Sequence, residues 1–202
     1  EQWRAKKLAR QSVAAALQAA NPHLVPVGSV KGGSLVAAAK NARAELKAAF
    51  PGVKFSIKTS RFSGGDSMDV RWTDGPTSDQ VSPIVDKYCA GSFSGTDDSY
   101  TYHENAWRDA FGDAKYVHCR RDDSDRAIES AIRTVRAKYA GNFEAHCIDT
   151  PTVADYRSGK LWNVQLIEGS YHCDGLQSVI SRELHRRTWA LARVAQIETE
   201  EA

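Results

Sequence analysis

Three of the four cysteines in this 202-residue chain directly follow a histidine: His118-Cys119, His146-Cys147 and His172-Cys173. A thiolate beside an imidazole offers two chemistries. Cys119, Cys147 and Cys173 with one histidine would suit a tetrahedral zinc site, and a single pair could serve as an activated nucleophile. Adjacent residues on a strand point to opposite faces, so only one member of each pair could ligate. The close cysteine pairs of zinc ribbons are missing, and the plainer reading is of small, half-hydrophobic core residues. A second set, Asp97, Asp98, Glu104 and Asp109, could hold Mg²⁺ for nuclease chemistry, although an acidic solvated loop explains it as well. "SVKGGS" and "SGGDS" lack the lysine and hydroxyl spacing of a phosphate loop. No motif fixes a reaction class, so the expectation is a non-enzymatic protein with no cofactor, zinc being the exception to test.

Charge points toward binding instead. Residues 1–60 hold ten Lys and Arg against Glu1 and Glu45, and the remainder is net acidic, with a concentration at Asp86, Asp97, Asp98, Glu104, Asp109 and Asp113. A basic segment attracts phosphate backbones or acidic protein surfaces. Basic residues alternating with apolar ones place Lys54, Lys58, Arg61 and Arg71 on an exposed hairpin face. Near the carboxy terminus, Arg182, Arg186 and Arg187 form a basic band suited to bidentate phosphate or carboxylate recognition. These seven residues are the candidate partner-binding set.

The elements that would position them follow from periodicity. A helix is expected over about 2–20, with Trp3, Leu8, Val13 and Leu17 as its apolar stripe and Arg4, Lys6, Lys7 and Arg10 in its first turns. There they oppose the helix dipole, and so lie in solvent or face something anionic. After the Pro/Gly connector "NPHLVPVGSVKGGS", a serine-capped helix runs from Ser34 to Phe50 and stops at Pro51-Gly52. "VKFSIK" and "SMDVRWT" alternate as two strands that bury Val53, Phe55, Ile57, Met68, Val70 and Trp72. Ser63-Gly64-Gly65-Asp66 joins them as a hairpin, and Asp74-Gly75-Pro76 ends the second. Helices over about 77–89 and 124–139 flank a strand at "AKYVHCR". "LWNVQLI" reads as a further strand, and 176–198 as a long basic helix with the stripe Leu176, Ile180, Leu184, Leu191 and Val194.

The expected fold is α+β: a small mixed or antiparallel sheet with helices packed on it, in the core order α-β-β-α-β-α, plus amino- and carboxy-terminal helices. Three regions follow: 1–33, 34–140 and 141–202. The longest apolar stretches, "VAAALQAA" and "LVAAA", fall far short of a membrane span of roughly 20 residues. With no charged-then-apolar leader at Glu-Gln-Trp, the expectation is a soluble protein without membrane association.

The stretch "AAKNARAELKAAFPGVKFSIKTSRFSGGDSMDVRWTDGPT", with "GSFSGTDDSYTY" and "AKYVHCRRDDSDRAIESAI", resembles a large polyvalent protein-associated domain, the family numbered twenty-nine, over roughly 35–138. Such domains are modules of very large proteins of phages and conjugative elements. The resemblance implies a mobile-element protein, so that the cytoplasm expected from the missing leader is that of a host cell. It further implies work against a host nucleic-acid-directed defence of the anti-CRISPR or antirestriction kind, with a host protein or nucleoprotein complex as partner. Direct DNA or RNA binding and a metal-dependent enzyme are the alternatives, and the carboxy-terminal helix could mediate a homodimer.

Overall fold

A computed structural model describes residues 2–167 and 175–186. The fold is α+β, as expected, and two compact units are drawn from it: Glu1–Trp72 with Ser78–Arg121, and Thr73–Thr77 with Asp122–Ala202.

The first unit opens with α1 (Gln2–Ala20) and α2 (Gly33–Ala49). Alanines at close helical spacing let α2 lie tight against its neighbours, burying Leu35, Ala38, Ala42 and Leu46. Its start differs from expectation. Gly32, at φ 107°, is the N-cap with no side-chain bond, because Ser34 is engaged elsewhere: its hydroxyl accepts the Asp113 N–H (2.9 Å) and donates to the Asp113 carboxylate. β1 (Ser56–Phe62) and β2 (Gly65–Thr73) pair antiparallel from Ser56↔Arg71 to Phe62↔Gly65. Ser63-Gly64 is thus the two-residue hairpin loop, and the positive φ (144°) falls on Gly65 at the start of β2.

Period-two burial places Ile57, Met68, Val70 and Trp72 on the inner face. Phe55 lies against Trp72, with ring centroids 5.6 Å apart. α3 (Ser78–Val85) accommodates Pro83 and tightens into a 3₁₀ turn over Asp86–Tyr88. β5 (Tyr116–Asp122) completes the sheet in the order β1-β2-β5.

Between α3 and β5 the chain forms more than the expected loop. β3 (Gly91–Ser94) and β4 (Ser99–Tyr102) make a second antiparallel hairpin, and α4 (Ala106–Phe111) follows, its first turn capped by the Asn105 side chain. α4 packs on both α1 and α2. Gly112 (φ 93°) ends it where the chain meets α2 so closely that a Cβ would lie 2.2 Å from the Ser34 carbonyl oxygen. Asn41, 1% exposed, joins the pieces. Its amide nitrogen donates to the carbonyls of Val25 (2.8 Å) and Phe111 (3.0 Å), and its oxygen accepts the Val25 N–H (2.7 Å).

The expected stripe on α1 does not face the core. Trp3, Leu8 and Val13 are exposed, because α1 meets α4 along the series Lys6, Arg10, Ala14, Gln18, spaced four apart. Ala14 is buried, and the Gln18 amide donates to the Ala110 carbonyl (3.0 Å).

The second unit is helical. α5 (Asp125–Lys138) begins at the Ser124 cap, whose hydroxyl accepts the Ala127 N–H. α6 (Ala140–Ala145), α7 (Val153–Arg157) and α8 (Leu176–Arg186) follow. Ile128, Ile132, Val135, Phe143, Leu176, Ile180 and Leu184 share its core. The expected strand at 161–167 is instead a 3₁₀ turn over Lys160–Asn163 entered through left-handed Gly159, with Gln165 making an isolated bridge to Gly175. Leu161 and Leu166, five residues apart, are its buried members, and a strand cannot turn both to one face.

Candidate functional site

α2 covers one face of the three-stranded sheet and leaves the other open. Register defines the open face. Ser56, Lys58, Ser60 and Phe62 on β1 stand opposite Arg71, Asp69, Ser67 and Gly65 on β2. Directly opposed residues share a face, so Lys58 and Arg71 project together, and exposed Lys54 continues the alternation just before β1. Arg61 does not join them. It has the parity of Ile57, faces Asp66, and its guanidinium donates to the Gly32 carbonyl. Three intervening residues separate Lys54 from Lys58, but two separate Lys58 from Arg61, which turns Arg61 to the other face. Asp69 is half-buried, within 3.3 Å of the Ser67 hydroxyl.

The rings on this side lie outside the expected partner-binding set. Gly65 has no side chain, so the Phe62 ring reaches across the edge of β2 to stack on Tyr116 of β5 (6.2 Å between centroids, 19° between planes). Tyr116 and His118, two apart on β5, stack in turn (6.3 Å, 6°). Tyr100 of β4 meets Tyr116 at 5.4 Å and Tyr102 at 4.8 Å, both edge-on. Its hydroxyl donates to the Lys115 carbonyl, and burial is the main cause that pushes that hydroxyl well above the usual phenol range. The Lys115 ammonium lies 5.0 and 5.3 Å from the Tyr100 and Tyr116 centroids and is held by the Gly64 carbonyl (2.6 Å). Phe93, opposite Tyr100 in the β3–β4 register, extends the group. Phe62, Phe93 and Tyr102 are 50%, 54% and 63% exposed. The missed signal was the alternation of "SFS" and "SYTY", which gives a hairpin one aromatic face.

The His-Cys pairs divide as strand geometry requires where a strand is involved. His118 is on the open face, and Cys119 turns inward, where burial, chiefly, and the Asp86 charge push its thiol up to about 11. Cys147 is exposed, at φ 49° after α6. His172 and Cys173 lie outside the described residues. Among the described residues, no three His, Cys, Asp or Glu side chains are grouped so as to hold a metal ion.

Much of the charge asymmetry is resolved internally. The Arg10 guanidinium binds the Asp109 carboxylate through Nε (2.9 Å) and Nη2 (2.7 Å), and Lys6 pairs with Glu104 (3.0 Å). A groove of about 730 Å³ beside α1 is lined by these same residues with Arg108 and Asp113, themselves an ion pair. In the second unit, Arg182 and Arg186 are exposed on α8, and Arg187 lies outside the described residues. Leu176, Ile180 and Leu184 are buried against α5, whereas Leu191 and Val194 lie outside the described residues. Among the described residues no helix is long and apolar enough to cross a membrane.

The model of the family described as large polyvalent protein associated domain 29 matches residues 34–127, a little under half of the chain. That segment is therefore similar to the domains of this phage- and mobile-element-associated family, and it contains the whole open face with its aromatic group. No curated protein and no solved structure matches the chain.

Proposed function

We propose that the protein is a non-enzymatic binding module of a phage or other mobile element that counteracts a host nucleic-acid-directed defence, of the anti-CRISPR or antirestriction type, by occupying a surface of that machine. The observation that carries this reading is the uncovered sheet face inside the family segment. Lys54, Lys58 and Arg71 are exposed there, and among the described residues none of them is clamped by a carboxylate as Arg10 is. Exposed cations on a sheet face attract the anionic ligands, or the acidic nucleic-acid-mimicking surfaces, with which such machines deal. Arg182 and Arg186 on α8 form a second basic surface that could engage the same partner.

The test is biological. The full chain is expressed in cells carrying a defined CRISPR or restriction system, and plating of a targeted phage is counted. Plating should rise in at least one system and fall back when Lys54 and Lys58 are both changed to Glu. Plating that stays unchanged across type I, type II and restriction systems, with the protein present at normal levels, refutes the proposal.

A further inference from the structure

We propose that the open sheet face and the adjoining β3–β4 hairpin form a stacking platform for single-stranded nucleic acid, with Phe62, Tyr102 and Phe93 taking bases and Lys58, Arg71 and Lys115 taking phosphates. This deepens the reading above, because it rests on the same face being the working surface and names the chemistry it binds.

The aromatic side chains carry the inference. Aromatic residues that serve only to close a core are buried by it, yet here the row from Tyr102 through Tyr100 and Tyr116 to Phe62 keeps its two ends half or more exposed. Exposed rings of this size are costly in water. The rings between them are fixed: Tyr100 by its hydroxyl bond and Tyr116 by stacking on both Phe62 and His118. The row is thus ordered before any ligand arrives, which lowers the entropy lost on binding. A run of this length accommodates about two to three bases, as aromatic sheet faces that bind RNA do.

The occupant follows from the mixture. Cations alone would suit a duplex, whose phosphates are outside and whose bases are stacked on one another. Rings alone would suit an apolar peptide. Rings at the hairpin end of the face, with Lys115 among them and Lys58 and Arg71 further along the two strands, match a chain whose every unit carries one anionic group and one unstacked aromatic base. Lys115 is placed for both partners at once, its ammonium lying near two rings at the junction of sheet and hairpin. Gly65 suits this arrangement, because its φ of 144° disfavours a side chain and a Cβ there would lie 2.5 Å from the Lys115 side chain and displace it.

Fluorescence anisotropy of the full chain with end-labelled dT12, a 12-base-pair duplex and labelled heparin tests the idea. The expected result is saturable dT12 binding, tighter than duplex binding at equal salt, that weakens with rising salt. Phe62→Ala and Tyr102→Ala should each weaken dT12 binding by roughly 5-fold to 100-fold, whereas Tyr102→Phe, which keeps the ring, should bind like the parent. Both side chains are half or more exposed, so the variants should stay folded by circular dichroism, and Tyr102→Phe separates loss of the ring from loss of the hydroxyl. Equal affinity for all three anions with no effect of Phe62→Ala or Tyr102→Ala would reduce the face to a general polyanion surface and overturn the proposal. So would the absence of dT12 binding at low salt. If dT12 is not bound while phage plating still depends on Lys54 and Lys58, the face is a protein-binding surface: the platform is then wrong and the function proposed above stands.

Discussion

At the scale of single residues, Asn41 does more than its place in an alanine-rich helix suggests. It holds the connector before α2 and the end of α4 to one point, and Asn41→Ala would strand Val25 N–H and the carbonyls of Val25 and Phe111 in the interior. Leaving buried groups unpaired costs about 1–3 kcal/mol each, so a loss of at least about 2 kcal/mol is expected in urea unfolding. Trp72, 2% exposed beside Phe55, was legible as core from the alternation Met68, Val70, Trp72. Trp72→Ala should cost about 3–5 kcal/mol, and a variant that melted like the parent would contradict that packing. Asn41 was not legible, because its partners are backbone groups 16 and 70 residues away and no periodicity marks them. The cysteines invite a chemical measurement. With its thiol at about 11, Cys119 carries only about one part in a thousand thiolate at pH 8. Mass spectrometry after brief iodoacetamide treatment should therefore find Cys147 alkylated well before Cys119.

Among the elements, those with a clean period were readable: α2, the β1–β2 hairpin and α5 stand close to where alternation and caps placed them. The β3–β4 hairpin and α4 were not, because four-residue strands and a six-residue helix give too few repeats to show a period, and their stability comes from packing. α1 was correctly located and wrongly oriented. Its larger apolar residues invited a buried stripe, whereas the face it presents to α4 is small and charged. That contact should respond to acid. The Lys6 ammonium, chiefly through its hydrogen bond, holds the Glu104 carboxyl below its ordinary value. A carboxyl depressed in the folded state contributes stability above the unfolded value, about 4.3, and loses it as pH falls through the lower folded value. Amide exchange in α1, corrected for intrinsic rates, should therefore accelerate relative to α2 as pH is lowered from about 5 to 3. Arg10→Glu should produce the same acceleration at neutral pH.

For the molecule as a whole, the carboxy-terminal part is core rather than appendage. Leu176, Ile180 and Leu184 belong to the same buried cluster as Ile128, Ile132 and Val135, so the stripe on the described part of α8 is covered by its own chain. Truncation after residue 175 should expose the apolar face of α5. Hydrogen exchange should then show α5 unprotected while β1 and β2 keep their protection. If α5 retained its protection, this assignment of the core would be wrong. The sequence pointed to the stripe but not to what covers it, because a helical repeat records that a face is apolar and carries no address for its partner.

The turn at Asp74 has a bearing on how the chain continues past the matched segment. Its N–H donates to the Asp122 carbonyl (2.9 Å), and its carboxylate accepts the Ser124 N–H (2.8 Å). Ser124 in turn caps α5 by accepting the Ala127 N–H (3.2 Å), and 127 is the last residue of the family segment. The segment therefore ends with its final strand tied off and the first turn of the next helix already nucleated from within. A helix continued behind that point would thus take its starting signal from the matched segment, while the cover for its apolar face must come from the residues that follow.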